Sequence, residues 1–364
     1  MSIKISSNIR DYDVHFCESS SFLFELDQHA PYCYTIDETV WGLYGNTLLK
    51  HIPDASRINV PISEDLKTLQ SVQMLYDQLI SFSAKRNLTL ISIGGGILQD
   101  ISGFVASSLY RGIKWIFVPT TLLSQADSCI GSKTSLNYGG FKNLIGTFYP
   151  PNEIFIYPEF LKTQNDIDFY SGLGEVIKLH LMDGPHRAKE LLELFPQILK
   201  RDSLSLISAI KNSLLIKKAY ITDDEFDEGK RNLLNFGHCF GHALETTSNF
   251  IVPHGQAVLL GIFLANIVSV KRGILSPETQ SYIANKFLLP GLVVKLQQNF
   301  FYPQSIIDAM KKDKKRTGSE LPLVMMNDNF NVFRINDLTT SEAAIALTEG
   351  FKLIENIRTQ SLVE

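Results

Sequence analysis

Histidines are concentrated in one short part of this chain. His238, His242 and His254 are three of its eight histidines and lie close together in the sequence. Because His238 and His242 are four positions apart, a helix would present both from one face, one turn from each other. With a carboxylate from elsewhere, imidazole nitrogens form the ligand set of a catalytic divalent metal without a thiolate cage. The alternative interpretation is ordinary surface or core histidines, and the nearby Arg231 and Asn235 weigh against it.

A glycine loop is the second chemical feature. Gly94, Gly95 and Gly96 follow an apolar, β-branched run and precede a helical pattern. Glycines at such a turn let the backbone approach a pyrophosphate, which also accepts hydrogen bonds from the first N–H groups of the helix. The spacing is not the usual G-x-G-x-x-G fingerprint, and many strand-to-helix turns are glycine-rich only because they are tight. The loop predicts a dinucleotide phosphate site, with a tight turn as the alternative.

Polar residues near other strand ends extend this prediction. Asp37, Glu64 and Lys67 stand where the ribose of a dinucleotide would lie, although each alone is equally typical of a surface residue or helix cap. Further along, a polar segment mixes Asp, Lys, Arg and Asn with Gly, Ser and Thr, which suits a phosphorylated, hydroxyl-rich substrate. The alternative is a polar loop over a sheet edge. The residues of this segment are Arg111, Thr120, Thr121, Asp127, Lys133, Lys142 and Asn143.

The composition narrows the class of protein. The chain has 364 residues, 45% of them hydrophobic, which is enough for two domains with sizeable cores. A net charge of -4 argues against a general nucleic-acid binder. The four scattered cysteines indicate reduced thiols in a cytoplasmic protein. No signal peptide is expected at the N-terminus, and the apolar stretch at 257–268 is too short to cross a membrane, so it predicts a buried helix.

The elements that must position these residues change in type along the chain. Up to residue 158, apolar strand candidates alternate with helical patterns, which predicts a doubly wound, Rossmann-like α/β domain with a parallel sheet. From 159 to 364 the pattern becomes helical, which predicts an all-helical domain for metal and substrate, with ligands in a cleft between the two domains. The strand candidates are 32–36, 57–60, 88–93 and 115–118. The helix candidates are 64–85, 97–109, 172–181, 188–199, 204–221, the histidine segment and 256–271.

Taken together, these motifs resemble the 3-dehydroquinate synthase family of sugar-phosphate cyclases over residues 30–355. The motifs that carry the resemblance are Gly-Gly-Gly-x-x-x-Asp from Gly94, Arg111-Gly, Pro119-Thr-Thr-Leu-Leu, Asp127-Ser-x-x-Gly-x-Lys-Thr, Lys142-Asn-x-x-Gly, Glu175-Val-Ile-Lys, Arg231-Asn-Leu-Leu-Asn-x-Gly-His-x-x-Gly-His, and His254-Gly.

The resemblance implies a lyase that depends on NAD and on zinc or cobalt. Its substrate would be a small phosphorylated sugar acid, 3-deoxy-D-arabino-heptulosonate 7-phosphate, and its products 3-dehydroquinate and phosphate, in the shikimate pathway. The expected steps are transient oxidation by NAD, β-elimination of phosphate, reduction by the NADH formed, and intramolecular aldol closure. The resemblance also implies a homodimer in which Arg111 reaches the site of the neighbouring subunit.

Residue roles follow from the same resemblance. The metal ligands would be Glu175, His238 and His254, so that His242 lies beside the metal and serves substrate or a proton-carrying water. Asp127 would contact the hydroxyl at the oxidised carbon. The phosphate end and ring hydroxyls would be held by Lys133, Asn143, Lys178, Arg111 and Lys314, and the carboxylate end by Lys218 and Arg231, with Asn235 hydrogen-bonded within the site. NAD would lie along Asp37, Glu64, Lys67, Gly94, Gly95, Gly96, Asp100, Thr120, Thr121, Lys133 and Lys142.

Five positions depart from the family pattern. Gln99 stands where glycine is usual, and its side chain would either crowd the pyrophosphate or point to solvent. Cys129 and Ser132 replace a serine and a glycine beside the phosphate-binding lysine, Phe141 replaces a glycine, and Gly174 replaces an alanine. No predicted catalytic group is lost, so these departures place the exact substrate in question more than the reaction class.

Other functions remain open at this point. Related cyclases make 2-deoxy-scyllo-inosose or epi-valiolone from substrates without a carboxylate, and a buried Arg231 without an anion would be costly, so a carboxylated substrate is favoured. An aminodehydroquinate synthase would keep the carboxylate and fits equally. A polyol dehydrogenase would need fewer lysines, and a binding protein on a degenerate enzyme scaffold would show a lost ligand.

Overall fold

Two compact units make up the computed structural model, which describes residues 1–29, 31–82, 85–312 and 321–360. Unit 1 contains Met1–Gln164 and Leu206–Phe226, and unit 2 contains Asn165–Ser205 and Asp227–Glu364. The boundary predicted between residues 158 and 159 differs from this division in two ways. Unit 1 continues to Gln164, and the chain later returns to unit 1 for Leu206–Phe226.

Unit 1 is built on a seven-stranded sheet in which every neighbouring pair except β1–β2 is parallel. The strand order is β1-β2-β9-β6-β5-β3-β4, and β7 and β8 form a separate antiparallel hairpin. The predicted parallel α/β architecture is therefore confirmed. The strands are β1 (Ser2–Ile5), β2 (Tyr12–Phe16), β3 (Tyr32–Asp37), β4 (Arg57–Val60), β5 (Thr89–Gly94), β6 (Lys114–Pro119), β7 (Lys133–Tyr138), β8 (Phe141–Phe148) and β9 (Glu153–Ile156).

The central strands are buried along most of their length. All six residues of β5 are buried, and Ile91 and Ile93 pack with Ile36 of β3 and Val118 of β6 in one core cluster. Buried strands of this kind give continuous apolar runs instead of alternation. The four strands predicted from the sequence are all present, whereas β1, β2 and β9 of the same sheet, each four or five residues long, were missed.

The sheet has a point at which its strand order reverses. After β3 the chain adds β4 on one side of β3, and it then crosses over to add β5 on the other side. In open α/β sheets, ligands bind outside the carboxyl ends of strands at such a reversal. Here those ends carry Asp37 of β3 and Gly94 of β5.

Five helices belong wholly or mostly to unit 1. The pattern predicted as one helix from 64 to 85 is divided, because the Thr68 side chain accepts a hydrogen bond from Ser71 N and caps a new helix there. Glu64–Leu66 forms a separate 3-10 turn before that cap. The helices are α1 (Phe22–Glu25), α2 (Glu38–Tyr44), α3 (Leu69–Ser81), α4 (Gly96–Ser108) and α7 (Ser203–Ile221).

Unit 2 is helical, as predicted, with the addition of a two-stranded antiparallel sheet formed by β10 (Leu321–Met326) and β11 (Val332–Leu338). Its central helix α9 (His254–Lys271) is long and apolar enough to cross a membrane, but 83% of it is buried within the protein. That burial is typical of a core helix and confirms the buried helix predicted at 257–268. The other helices are α5 (Asp166–Met182), α6 (Pro185–Ile198), α8 (His238–Thr247), α10 (Pro277–Ile283), α11 (Pro303–Lys312) and α12 (Thr340–Gln360).

A buried histidine near the end of α5 makes the stability of the fold depend on pH. Burial lowers the pKa of His180 from 6.5 to about 4. Nδ1 lies 2.8 Å from the carbonyl oxygen of Val176, whereas Nε2 is buried without a hydrogen-bond partner among the described residues. The folded protein therefore holds this imidazole neutral. In a solution acidic enough to protonate His180 in the unfolded chain, this requirement lowers the free energy of unfolding.

We expect His180 to contribute stability above pH 6.5 that is lost as the pH falls towards 4. A change in pKa of this size corresponds to about 3 kcal/mol in the free energy of unfolding. Urea unfolding at pH 7.5 and pH 4.5 would measure the loss in the wild type and in His180→Leu, whose side chain does not titrate. An equal acid-induced loss in both proteins would contradict the assignment.

Candidate functional site

Glu175 of α5 lies at the centre of a cluster of potential metal ligands in unit 2. Its Oε1 is 3.1 Å from His254 Nε2 and 3.6 Å from His238 Nε2. The possible ligand atoms of these three residues all lie within 4.8 Å of one another. The structure thus brings together the carboxylate and the two histidines that the sequence predicts as metal ligands.

Both histidines are oriented by an acceptor at the other ring nitrogen. His238 Nδ1 lies 3.1 Å from the carbonyl oxygen of Phe236, and His254 Nδ1 lies 3.2 Å from Oε2 of Glu245. A hydrogen bond at Nδ1 fixes the ring and leaves Nε2 to act as a ligand. Glu245 was not singled out in the sequence, although it follows His238 by seven residues, which is two helical turns.

The Glu175 carboxylate is poorly satisfied by the protein alone. It is fully buried, and neither oxygen makes a hydrogen bond of good geometry among the described residues. Lys178 Nζ lies 2.5 Å from Oε2. Burial alone would raise the pKa of Glu175, but the Lys178 ammonium and the neighbouring imidazoles outweigh it and hold that pKa well below its usual value. A buried, ionised and under-bonded carboxylate is suited to a cation.

The two imidazoles differ in their protonation. Burial and the nearby Lys178 charge hold the pKa of His238 well below its usual value, so its ring is neutral. Burial acts to lower the pKa of His254 as well, but contacts with Glu175 and Glu245 outweigh it and raise that pKa to about 10. A metal bound at His254 Nε2 would displace this proton, so binding would compete with protonation.

The remaining histidine of the motif lies beside the cluster. The His242 ring centroid is 5.1 Å from that of His238 and 5.8 Å from that of His254. His242 is not part of the group whose ligand atoms approach one another. This position is the one that the resemblance implies for it, next to a metal and available for proton transfer, and its chemical role stays a prediction.

Glycines allow the helices that carry the ligands to approach. A Cβ on Gly174 would collide with the backbone of Gly255, and a Cβ on Gly255 would collide with the carbonyl of Ser171. On α8, Gly237 has a φ of +79°, and a Cβ there would lie 2.6 Å from the carbonyl oxygen of Val258. These contacts hold α5 and α8 against α9, and they give Gly174, a departure from the family pattern, a packing role.

We expect Gly174→Ala to destabilise unit 2 by forcing α5 away from α9. Glu175 would move with α5, so bound zinc should fall together with the melting temperature. Gly42→Ala is the matched control, because Gly42 lies in α2 and an added Cβ would have no atom within 4 Å. Differential scanning fluorimetry and zinc content would measure both effects. A Gly174→Ala protein as stable and zinc-rich as the control would contradict the packing argument.

Lys178 connects the cluster to the segment that contains the predicted anion-binding residues. Its Nζ donates a 2.9 Å hydrogen bond to the carbonyl oxygen of Leu234, within the 3-10 segment Lys230–Asn235. Arg231 in this segment is buried, and Asn235 Nδ2 donates to the carbonyl oxygen of Asn232 at 3.0 Å. Lys178, Arg231 and Asn235 therefore share one part of unit 2 with the metal cluster.

In unit 1 the glycine loop lies at the reversal of the strand order. A Cβ on Gly94 would lie 3.2 Å from Cβ of Asp37, and a Cβ on Gly95 would lie 3.0 Å from Cγ2 of Thr121. Helix α4 starts at Gly96, and among the described residues no side chain caps its first N–H groups. The Asp37 side chain accepts from Thr39 N and caps α2. The loop thus presents backbone donors in close quarters, as binding of a pyrophosphate requires.

A network of polar side chains lies next to this loop. Lys67 Nζ donates to Asn143 Oδ1 at 2.6 Å and to Asp100 Oδ2 at 3.1 Å. Asp100 also accepts from the backbone and hydroxyl of Ser135. Burial raises the pKa of Asp100 in spite of the Lys67 charge. Glu64 Oε1 lies 3.7 Å from Lys67 Nζ and 3.9 Å from Lys142 Nζ.

Of the other predicted residues, Thr120 adjoins the glycine loop, and the rest of those described lie on other elements. Thr120 is buried and its N–H donates to the carbonyl of Gly94. Lys133 is exposed at the start of β7, Arg111 is exposed after α4 with a φ of +63°, and Lys218 is half-buried on α7. The predicted Lys314 lies outside the described residues.

The segment around Asp127 makes two contacts that were not predicted from the sequence, and the first of them contradicts the prediction for Gln99. Gln99 neither crowds the glycine loop nor points to solvent: its Nε2 donates to the carbonyl oxygen of Ser128, and its Oε1 accepts from Ser128 Oγ, both at 2.7 Å. Lys217, and not its neighbour Lys218, forms an ion pair with Asp127 at 2.9 Å. Helical spacing gave the signal, because Lys217 follows the buried residues Ile210 and Leu214 on one face of α7.

Comparison with known protein families identifies both parts of the chain. A family model described as 3-dehydroquinate synthase N-terminal matches residues 57–171, and one described as 3-dehydroquinate synthase C-terminal matches residues 172–316. A 3-dehydroquinate synthase of Clostridium tetani is 38% identical over 312 residues, which are 85% of this chain and 76% of that protein.

Two solved structures share the fold at low sequence identity. The 2-epi-5-epi-valiolone synthase of Streptomyces hygroscopicus, determined with NAD+ and Zn2+ bound, superposes with a TM-score of 0.84 at 23% identity, over 95% of this chain and 98% of that one. A 2-deoxy-scyllo-inosose synthase complexed with carbaglucose-6-phosphate, NAD+ and Co2+ gives a TM-score of 0.80 at 21% identity, over 96% and 100%.

Proposed function

The chain belongs to the 3-dehydroquinate synthase family, and from this premise we propose that it converts 3-deoxy-D-arabino-heptulosonate 7-phosphate into 3-dehydroquinate and inorganic phosphate. The proposed cofactors are NAD and a divalent metal, zinc or cobalt. The observation that carries the proposal is the buried, under-bonded carboxylate of Glu175, which faces two oriented imidazoles. The reaction is a step of the shikimate pathway.

The donor set of unit 2 fits a catalytic metal. One carboxylate oxygen and two imidazole nitrogens form a three-ligand set that leaves a coordination position for substrate or water. Glu175, His238 and His254 would hold the ion, and the absence of thiolates suits zinc and cobalt equally well. Glu245 would support His254 from the other ring nitrogen, 3.2 Å away.

The glycine loop of unit 1 fits the pyrophosphate of NAD. The loop lies at the carboxyl ends of two strands where the order reverses, and it leads into a helix that no described side chain caps. A Cβ on Gly95 would fill the space next to Thr121. The residues Gly94–Gly96 would contact the pyrophosphate, with Asp37, Glu64, Lys67, Asp100, Thr120, Thr121, Lys133 and Lys142 proposed around the rest of the cofactor.

When bound, the metal would polarise a substrate hydroxyl, and the nicotinamide would reversibly accept a hydride from the carbon that bears this hydroxyl. The chain's own groups orient the substrate and manage its charge. Lys178 and Arg231 supply cationic contacts for the anionic substrate in unit 2. His242 is close enough to the ligand cluster to exchange a proton with substrate or water. In unit 1, Asp127 accepts from the hydroxyl to be oxidised, and Asn143 and Lys133 serve the phosphate end.

A second candidate function is supported by the fold. The two cyclases with high structural similarity act in the same superfamily, so a specialised cyclase that uses a neutral or an aminated sugar phosphate is the alternative. Arg231 is buried in the 3-10 segment whose Leu234 carbonyl accepts from Lys178, and a guanidinium in that segment suits a carboxylated substrate. Substrate preference separates these functions directly.

We expect rapid phosphate release from 3-deoxy-D-arabino-heptulosonate 7-phosphate with zinc and a catalytic trace of NAD, without net NADH. Glucose 6-phosphate and sedoheptulose 7-phosphate should give none. A chelator should abolish release, and added zinc should restore it. His238→Asn should abolish it as well, whereas the matched change His186→Asn, at a side chain that is 85% exposed, should not. Release from a neutral sugar phosphate alone would overturn the proposed substrate.

We also propose that the chain acts as a cytoplasmic homodimer. All four cysteines are free thiols, which suits a reducing compartment. Arg111 is exposed on a short turn, with Tyr110 beside it also exposed, and it is proposed to reach the site of the neighbouring subunit.

Mixing two inactive variants tests the shared site. Arg111→Ala and His238→Asn homodimers should each be inactive, and exchange of their subunits should restore part of the activity, because a mixed dimer contains one site with both native residues. Phosphate release after co-refolding would measure the recovery, and sedimentation would report the oligomeric state. No recovery in demonstrably mixed dimers, or a monomeric enzyme, would contradict the proposal.

A further inference from the structure

The base of the β7–β8 hairpin is held by the N-terminal residues of the chain. This hairpin carries Lys133 at the start of β7 and Lys142 and Asn143 in β8, and all three are proposed to lie around the cofactor and the phosphate end of the substrate. The two sides of its base are Gly131–Ser132 before β7 and Tyr149–Pro150 after β8. The positions of the three polar side chains therefore depend on the contacts that fix this base.

A buried carboxylate joins the first side of the base to the segment between β1 and β2. Glu225, which follows α7, is only 7% exposed. Its Oε1 accepts from Ser7 Oγ at 2.6 Å and from Ser132 Oγ at 2.9 Å, and its Oε2 accepts from Asn8 N at 2.7 Å. Burial alone would raise the pKa of Glu225, but these hydrogen bonds outweigh it and lower that pKa. The ionised carboxylate therefore binds both segments at the same time.

Ser132 has a backbone conformation that is unusual for a serine. Its φ is +65°, in the left-handed region that glycine adopts freely and that crowds the Cβ of other residues. A residue in this conformation persists only when its surroundings hold it there. The hydroxyl of Ser132 binds Glu225, and its carbonyl oxygen accepts from Tyr149 N at 2.6 Å. The bond to Glu225 thus offsets a strain that the usual glycine of the family would not have.

The β1–β2 hairpin makes further contacts with the same base. Tyr12 Oη accepts from Gly131 N at 3.0 Å. Arg10 donates to the carbonyl oxygen of Pro150, and its guanidinium carbon lies 5.1 Å from the centre of the Tyr149 ring, within the range of a cation–π interaction. Both sides of the base are therefore held from one hairpin, and all of these residues belong to unit 1.

We propose that Glu225 is a positioning residue for the phosphate end of the substrate, acting through Ser132 on Lys133. This inference rests on the proposed function, in which Lys133 serves that end. Lys133 follows Ser132 directly, so the φ of Ser132 sets the direction in which β7 begins. Without the carboxylate, Ser132 would relax towards a negative φ, and the Lys133 ammonium would be held less often at the phosphate.

The test changes both partners of the Glu225–Ser132 hydrogen bond in the full-length enzyme with NAD and zinc. Glu225→Gln replaces an acceptor oxygen by an amide group that cannot accept, and Ser132→Ala removes the hydroxyl but keeps the Cβ. We expect each change to raise KM about fivefold or more with a smaller change in kcat, because the phosphate is bound before and during the reaction. The Ki of inorganic phosphate as a product inhibitor should rise in parallel.

Two matched comparisons separate positioning from folding. Ser132→Gly also lacks the hydroxyl, but it should raise KM less than Ser132→Ala does, since glycine adopts the left-handed conformation without strain. Glu225→Gln added to Ser132→Gly should raise KM by less than about twofold, because the hydrogen bond and the strain are already gone. Glu18→Gln changes an exposed carboxylate after β2 and should leave KM, Ki and the melting temperature as in the wild type.

Three outcomes would overturn the inference while leaving the proposed function intact. These are a KM for Glu225→Gln equal to that of Glu18→Gln, a KM for Ser132→Gly raised as much as that of Ser132→Ala, and a fall in kcat with KM and the Ki of phosphate unchanged. If the wild-type enzyme released no phosphate from 3-deoxy-D-arabino-heptulosonate 7-phosphate, the proposed function would fail instead. Calorimetric titration with inorganic phosphate would then still measure the effect of Glu225 on anion binding.

Discussion

A buried carboxylate determines much of unit 2. Glu175 is fully enclosed and ionised, and that combination is stable only because Lys178 and two imidazoles surround it. Such a group restricts the positions of its neighbours, since their movement away from it would leave a charge without partners in a poorly polar interior. The close approach of α5 and α9, made possible by Gly174 and Gly255, is therefore part of the electrostatic arrangement as well as of the packing.

The candidate site of unit 1 does not depend on one buried charge. Its candidate cofactor site depends on backbone geometry at the ends of β3 and β5, and the charged side chains around it are connected to one another instead of pointing outward. Lys67 is shared between Asp100 and Asn143, and Lys217 is committed to Asp127. Each cation in these pairs reduces the cost of burying an acidic or polar partner, and the resulting networks define side-chain directions before any ligand is present.

The sequence predicted β3, β5 and β6 and most of the long helices because their burial leaves a strong pattern, whereas β9 and the long helix α12 were missed. The resemblance to the 3-dehydroquinate synthase family implied the three residues of the metal cluster, whereas the spacing of His238 and His242 alone had pointed to that pair. The sequence could not predict contacts that depend on three-dimensional register. Gln99 was expected to affect a pyrophosphate or face solvent, yet it bonds to Ser128, 29 residues further on. Lys217, which was not singled out in the sequence, lies on the buried face of α7 and pairs with Asp127. The β10–β11 hairpin was missed because the segments before it have helical patterns, and the whole range 159–364 was therefore predicted to be helical.

The interleaved course of the chain has a consequence for biosynthesis and for engineering. Residues 206–226 return to unit 1 after 165–205 have entered unit 2. During translation, the first 164 residues emerge as an incomplete body whose Asp127 still lacks its ammonium partner, so unit 1 cannot finish folding until the ribosome has passed residue 226. No single cut of the chain would yield two autonomous fragments. A chimera that exchanges cofactor domains between relatives would need three junctions, at the boundaries near residues 165, 206 and 227, with α7 transferred together with the sheet.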